Sequence, residues 1–416
     1  MKICMLVYSY PPLSVGGAER QCRLQANELV RQGHGCMVLT ARSQWGLSRN
    51  EANEGVSIRR VAVAQLAVNF LLGVKSRFQK KSPPVENPSE SAAAVETEKQ
   101  HVPVSCFERW VAKCNSTSFM WNAGWYIFWN RKKIDVVHTH VASWNAGFVA
   151  WLGSRLKIPV VCKAANLPAF DDFQSEVPFA SFWKKWRLRC SFFALTAEMK
   201  VDLIGAGVPE NQIRVLPNGV VLPEKTAEVA LSKRVIFVGN FTQGVGHKSY
   251  DVLLKSWAIA SRKFPEWDLY LAGGGDISPW EKMAEELGCR PQVEFAGRVD
   301  SLAEAYRESA LFILVSRKEG ISNALLEAQS YGLPGVVSDI PGNRAVVVDD
   351  KTGFILPHGD EVQTAAALCK LMQDDSLREA FGHNARKHIA ECFEISFVVD
   401  QLSKNYQELL TGGFSQ

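Results

Sequence analysis

The sequence predicts an α/β protein of two domains, each a parallel sheet with helices on both faces. Apolar runs at 310–315 and 335–338 are continuous rather than alternating, the pattern of strands buried on both sides. Such runs alternate along the chain with helical stretches that stop at glycine or proline. At 416 residues the chain is too long for one ordinary core of this kind, and it divides at the turn Pro217-Asn218-Gly219-Val220. The expected units are 1–218, 219–396 and a terminal helix in 397–416 that packs back toward the first domain.

Residues 2–8 read as the first strand. Their start, Met1-Lys2-Ile3, is briefly basic and apolar, but Tyr8, Tyr10 and Pro11-Pro12 interrupt it and Gly16-Gly17 follow. A strand is expected there and not a signal peptide. Gly16-Gly17-Ala18-Glu19-Arg20 leads into a helix toward Gly33. Paired glycines in such a loop admit a ligand to the backbone or simply make a tight turn, and this stretch alone leaves both open. Strands follow at 35–40 and 56–61. Residues 79–105 are polar, rich in Pro, Ser and Glu and without periodicity, which reads as a mobile surface insertion. Next to it the chain is unusually aromatic, with Trp110, Trp121, Trp125 and Trp129; the four-residue spacing puts Trp121 and Trp125 on one helix face.

The strand 134–140 ends in His138 and His140, which alternation places on the same side. Zinc would need further ligands, and the neighbouring sequence supplies no convincing set. Packing and a place in a polar active cleft remain, with His140, nearer the carboxyl end, the stronger candidate for the second. After a strand at 158–163 and a loop through Phe173, residues 179–189 combine aromatic and cationic side chains. They read either as a contact with an anionic membrane surface or as a solvated helix with a packed aromatic side. A strand at 192–196 and a helix at 197–205 close the first domain. The second opens with a strand at 234–240 and a glycine-bearing loop to His247-Lys248. A helix at 250–260, a strand at 267–272, the turn Gly273-Gly274-Gly275, a helix at 280–287, a strand at 293–295 and the loop Gly297-Arg298-Val299 follow. Helices at 361–372, 376–390 and 397–410 end the chain.

The totals exclude several classes. A net charge of +4 does not indicate a nucleic-acid binder. Ten cysteines occur without a CxxC or a metal-ligand spacing, and Cys4, Cys36 and Cys162 sit in apolar strand-like runs, so reduced buried thiols in a cytoplasmic protein are expected. No apolar run is long enough to span a membrane.

The chemistry concentrates in Ser316-Arg317-Lys318-Glu319-Gly320-Ile321-Ser322-Asn323-Ala324-Leu325-Leu326-Glu327. Glu319 lies just past the carboxyl end of a strand, where open α/β sheets keep their ligands. Ser322 or Asn323 is placed to cap the next helix, whose first N–H groups suit a phosphate. Glu327 is two turns down that helix, roughly 12 Å of rise away, so the two carboxylates are expected to serve different parts of an elongated ligand. Gly273-Gly274-Gly275 is a weak phosphate signal without GxGxxG or a Walker Lys-Ser/Thr. Lys248, on the same rim as Glu319, is the better cation for phosphate.

Together these features resemble the retaining GT-B glycosyltransferases, specifically family 4 (group 1). The likeness covers nearly the whole chain apart from roughly 79–130. Its most specific parts are Ser316 through Glu327 and Asp339-Ile340-Pro341-Gly342-Asn343-Arg344, with Gly16–Arg20, 217–220 and Gly353-Phe354 in support. The resemblance implies two Rossmann-like domains facing a cleft that holds a nucleotide-diphosphate sugar, a UDP- or GDP-sugar, with no cofactor. It implies that Glu319 contacts the transferred sugar, that His140 lies near it, and that Glu327 holds the ribose. Gly16, Gly17, Lys248, Ile321, Ser322 and Asn323 would meet the diphosphate region, with Asn240 and Arg298 on the same donor side. The family often has Arg directly after the glycine of the 234–240 strand, where Asn240 stands here, and Lys248 follows a longer loop than usual. One fewer cation weakens stabilisation of the departing diphosphate. No DxD tripeptide occurs, which fits the metal-independent chemistry the resemblance implies.

The implied activity is a hexosyltransferase acting on a glycan or lipid-linked saccharide in surface polysaccharide or lipopolysaccharide synthesis. Its expected location is cytoplasmic, peripheral at the inner face of the cytoplasmic membrane. A related epimerase or hydrolase of nucleotide sugars, and a non-catalytic carbohydrate-binding module, are the alternatives.

Overall fold

The computed structural model describes residues 1–12, 16–66, 106–140, 144–164, 180–241 and 248–412. The expected insertion near 79–105, the loop 165–173 and the glycine-bearing loop 242–247 lie outside them. Two parallel sheets form the frame. The first contains β1 (Lys2–Leu6), β2 (Gly35–Arg42), β3 (Asn50–Asn53), β4 (Val56–Ala62), β5 (Val136–Thr139), β6 (Val160–Ala164), β7 (Ser191–Ala194) and β8 (Ile213–Val215), in the order β3-β4-β2-β1-β5-β6-β7-β8. The second contains β9 (Arg234–Val238), β10 (Asp268–Ala272), β11 (Val293–Gly297), β12 (Leu311–Leu314), β13 (Gly335–Ser338) and β14 (Gly353–Leu356), in the order β11-β10-β9-β12-β13-β14. This is the GT-B arrangement of two Rossmann-like domains.

The central strands are buried along their whole length because helices cover both sheet faces, which is why their sequences run apolar without alternation. The exception is β3, four exposed residues antiparallel to β4. Glu54 and Gly55 between them have φ of 50° and 80°, the two left-handed residues a tight hairpin requires. The long helix Cys106–Asn130 lies over the first sheet; Phe119, Met120, Ala123 and Ile127 form its inner face.

In each sheet the strand order reverses beside the first strand, at β1/β5 and at β9/β12, which opens a crevice at the strands' carboxyl ends. The chain joins the domains twice, and the two crossings are tied where Val220 N donates to Phe393 O at 2.8 Å and Ile395 N to Val220 O at 2.9 Å. Beyond the second crossing, helix Ile395–Leu410 returns to the first domain. Its Val398, Val399, Leu402 and Tyr406 share one buried cluster with Ile3, Met5, Cys22 and Leu29. Among the described residues no helix is long and apolar enough to cross a membrane.

Candidate active site in the interdomain cleft

Lys248 follows β9 and Glu319 follows β12, the two strands flanking the reversal in the second sheet. Their side chains meet there, Lys248 Nζ to Glu319 Oε1 at 2.5 Å, and Ser316 Oγ donates to the same carboxylate oxygen at 3.1 Å. Two local features aim the lysine. A Cβ at Gly239 would stand 3.2 Å from Lys248 Cε, so glycine lets the side chain lie across the strand end. Ser249, next in the chain, takes φ 45° and directs its Oγ to His358 Nε2 at 3.0 Å, turning the backbone sharply into helix Tyr250–Ser261.

Glu319 is seated from behind. Gly342 passes so close to Gly320 that a Cβ there would stand 1.5 Å from Gly320 O. Asn343, fully buried, donates to Ser338 O at 2.9 Å, and Ser338 Oγ donates to Ser316 O at 2.5 Å. The motif 339–344 therefore supports the loop that carries Glu319. Ser322, not Asn323, caps helix Asn323–Ser330, its Oγ accepting from Leu325 N at 3.4 Å.

Glu327 faces a different partner. Its Oε1 meets Arg20 Nη2 of the first domain at 2.6 Å, and Tyr306 Oη donates to its Oε2 at 3.4 Å. Burial pushes its pKa up to about 7, against the opposing pull of Arg20 and Tyr306. The two carboxylates thus sit at separate stations with separate cations.

Beside these pairs, part of the seam is held by neutral groups. Asn323 Nδ2 donates to Gly17 O at 3.1 Å, while its Oδ1 accepts from Gln21 Nε2 and from Asn218 Nδ2, each at 3.0 Å. Asn218 Nδ2 also reaches Ile321 O at 3.2 Å, and Gln21 exchanges two hydrogen bonds with Gly219. Gly16 is the cap residue of helix Gly17–Arg31, and a Cβ on Gly17 would stand 3.0 Å from Asn323 Nδ2. The glycine pair therefore brings the first domain's backbone against the second, and Ile321 is buried beneath this contact.

The triple glycine has a structural cause. A Cβ at Gly273 would lie 1.9 Å from Gly239 O, and one at Gly275 1.9 Å from Phe241 O, so the run exists to let the β10 turn touch the β9 turn. Asn240 belongs to the same contact, its Oδ1 accepting from Gly274 N at 3.3 Å. Exposed Arg298 lies past β11 on the far side of that turn.

β5 is covered on both faces, so His138 and His140 are both fully buried and stack at 4.5 Å. His138 Nδ1 is taken by Tyr406 Oη at 2.6 Å, whereas neither ring nitrogen of His140 has a hydrogen-bond partner among the described residues. Burial, with His138 and Lys163 nearby, holds His140 well below its usual pKa and therefore neutral. Lys163, at the end of β6, is buried with no hydrogen-bond partner among the described residues, and burial lowers it to about 7. Among the described residues no three His, Cys, Asp or Glu side chains are grouped to hold a metal.

Two families match this chain in tandem: the Glycosyl transferase 4-like domain over residues 16–219 and Glycosyl transferases group 1 over residues 232–374. The chain belongs to the GT-B glycosyltransferase superfamily. An uncharacterised glycosyltransferase of Haemophilus influenzae is 24% identical over 46% of this chain and 54% of its own length. A capsular polysaccharide biosynthesis glycosyltransferase of Staphylococcus aureus is 32% identical over 29% of this chain and 32% of its own. The match thus spans about half and a third of these two relatives. Among solved structures, sucrose-phosphate synthase of Thermosynechococcus elongatus superposes with a TM-score of 0.72 at 17% identity, covering 99% of both chains. An Anabaena protein in complex with UDP-glucose gives 0.66 at 16% identity, covering 98% of this chain and 100% of that one.

Within this superfamily fold, Arg20, Tyr306 and Lys163 are site-side residues that sequence reasoning passed over. Arg20 stood inside the quoted glycine motif, but nothing in the sequence tied it to Glu327. Tyr306 and Lys163 carried no signal at all.

Proposed function

We propose that this chain is a retaining glycosyltransferase that moves a sugar from a UDP- or GDP-sugar to a hydroxyl of a glycan or lipid-linked saccharide in surface polysaccharide synthesis. The observation that carries this reading is the meeting of Lys248 and Glu319 at the β9/β12 reversal, with Glu327 held separately on the helix that follows. A sugar–diphosphate bond breaks with positive character growing on the anomeric carbon and negative charge on the departing phosphate oxygen. Glu319 is the carboxylate for the first and Lys248, with the N–H groups at Ser322-Asn323, the donor set for the second. The donor displaces Lys248 from Glu319 toward the diphosphate. The bond electrons pass to the leaving phosphate, the acceptor oxygen bonds the anomeric carbon from the same face, and its proton goes to that phosphate.

Glu327, once ionised, accepts from the ribose hydroxyls. Gly16 and Gly17 line the diphosphate and acceptor side, with Asn240 and Arg298 on the donor rim. His140, neutral and enclosed, shapes the wall near the transferred sugar. A lipid-linked acceptor places the work at the inner face of the cytoplasmic membrane. Solved relatives with UDP or UDP-glucose support a uridine donor first.

The test is product analysis by mass spectrometry with UDP- and GDP-sugars and lipid-linked extracts. Sugar appearing on an acceptor supports transfer, and free sugar or an epimerised donor without acceptor would assign the chain to the alternative chemistry. Asn240 favours one second reading, a non-catalytic carbohydrate-binding module. Donor binding without turnover on any acceptor would select it.

A further inference from the structure

The helix Cys106–Asn130 wears its aromatic residues on the wrong side for a soluble protein. Its inner face fills the core, yet Trp121, Trp125 and Trp129 are 68, 59 and 66% exposed, with Trp110 and Phe128 also outward. A 100° turn per residue sets these side chains opposite Phe119, Met120, Ala123 and Ile127, on one outer face of the helix. Trp125, Phe128 and Trp129 touch each other, with centroids 5.7–5.9 Å apart. Several large aromatic side chains exposed together on one face mark an interaction surface.

The charge around the stripe identifies the partner. Helix Cys106–Asn130 packs on helix Trp144–Leu156, which packs on helix Ala180–Arg187. Residues 106–133, 144–157 and 180–189 contain eleven Lys and Arg, Arg187 among them buried, against one acidic residue, Glu108. The chain as a whole carries only +4, so the rest of the protein is net acidic. Arginines lie over rings on each of the three helical layers: Arg131 over exposed Phe128 at 5.0 Å, Arg155 over half-buried Trp151 at 5.9 Å and Arg189 over half-buried Trp186 at 5.0 Å. A second copy of the chain docked here would set cations against cations.

We propose that the outer face of helix Cys106–Asn130 seats the protein on an anionic lipid surface, its tryptophans at headgroup depth and the cations of the three helices on the phosphates. Tryptophan suits that depth because its ring is apolar and its indole N–H polar. The segment 179–189, where the sequence suggested membrane contact, supplies charge rather than insertion. Its Trp183 is tied into the protein by Phe148 and Trp151, with centroids at 5.6 and 6.4 Å, and Arg187 is buried, leaving Phe182, Lys184, Lys185 and Arg189 outward. The proposal rests on the transferase reading only for its purpose, since a lipid-linked acceptor would be met at this surface.

The experiment is cosedimentation of the full chain, without donor, with phosphatidylcholine vesicles containing or lacking phosphatidylglycerol, alongside tryptophan emission. The native chain is expected on the anionic vesicles with a blue-shifted emission, released by salt. Trp121→Ser/Trp125→Ser/Trp129→Ser, checked for folding by circular dichroism, is expected to lose the shift and partition more than about tenfold less. Lys132→Gln/Lys133→Gln, which keeps every tryptophan, is expected to bind more weakly with the shift intact at saturation. Equal partition of the folded triple variant would overturn the proposal. So would a native chain that buries these tryptophans in a dimer without lipid, or one that ignores anionic vesicles. Sugar transfer to a detergent-soluble acceptor is read separately, so failure of the lipid surface and failure of the transferase reading remain distinguishable.

Discussion

Arg20 and Glu327 meet at 2.6 Å across the domain boundary, joining the first turn of the chain's first helix to the helix that follows the Glu319 loop. The pair closes the cleft over the station assigned to the ribose. Arg344 of the second domain reaches Glu198 of the first at 3.5 Å on the same boundary.

Glu327 gives the site a pH dependence. Burial raises its pKa to about 7 in the folded chain, and in the role proposed for it only the ionised form would accept from two ribose hydroxyls. Nucleotide affinity is expected to be about tenfold weaker near pH 6 than near pH 8, as the competent fraction falls. Isothermal titration with UDP and GDP across that range checks it, and Glu327→Gln is expected to bind weakly with no such slope.

The same shift has a stability consequence of definite sign. A carboxyl whose folded pKa lies above its unfolded value makes the native state the better proton binder between the two. Its contribution is therefore full at low pH and is lost as pH rises from about 4.5 to about 7. The loss is at most about 3 kcal/mol. Urea melts of native and Glu327→Gln protein are expected to diverge in pH slope over that window and to run parallel above it.

Gly342 should be intolerant of any side chain. A Cβ 1.5 Å from Gly320 O forces the Glu319 loop to move. Gly342→Ala is expected to lower stability by at least about 2 kcal/mol and turnover with it. Gly17→Ala meets only the amide of Asn323 at 3.0 Å and should cost far less stability, as thermal melts of the two variants would show.

Tyr406→Phe tests the returning helix. It leaves buried His138 Nδ1 without its 2.6 Å partner, which is expected to cost about 1–3 kcal/mol of stability with little change in kcat. A fall in kcat matching that of a cleft variant would assign this histidine a direct part in the reaction.

Much of this was legible from local sequence, for local reasons. Helix Ala197–Gly205 and strand Gly335–Ser338 were expected at those limits because Gly207 and Pro209 follow the one and the other is a continuous apolar run. Lys248 and Glu319 could be placed on one rim because each follows a strand of the same sheet. β3 escaped because four exposed residues carry no hydrophobic pattern, and its hairpin rests on Glu54 where Asn or Asp is usual. Arg20 and Glu327 could not be paired because their contact depends on how two domains face each other. The triple glycine was a weak phosphate signal, and the structure supplies another reason for it, since close backbone approach asks for glycine whether the neighbour is a ligand or another turn.

Lys248 carries the burden that Asn240 does not share. Lys248→Ala is expected to lower kcat on the order of a hundredfold, with donor binding weakened less, because the charge it neutralises grows as the bond breaks. Steady-state kinetics with a fixed acceptor separates the two effects.

The most direct measurement is donor consumption and product formation by mass spectrometry for native protein and Glu319→Ala, with UDP- and GDP-sugars and lipid-linked extracts. The account predicts sugar transferred by the native chain, lost in the variant by at least about a thousandfold, with nucleotide still bound. Transfer undiminished in Glu319→Ala would contradict the role given to the Lys248–Glu319 station and the mechanism built on it.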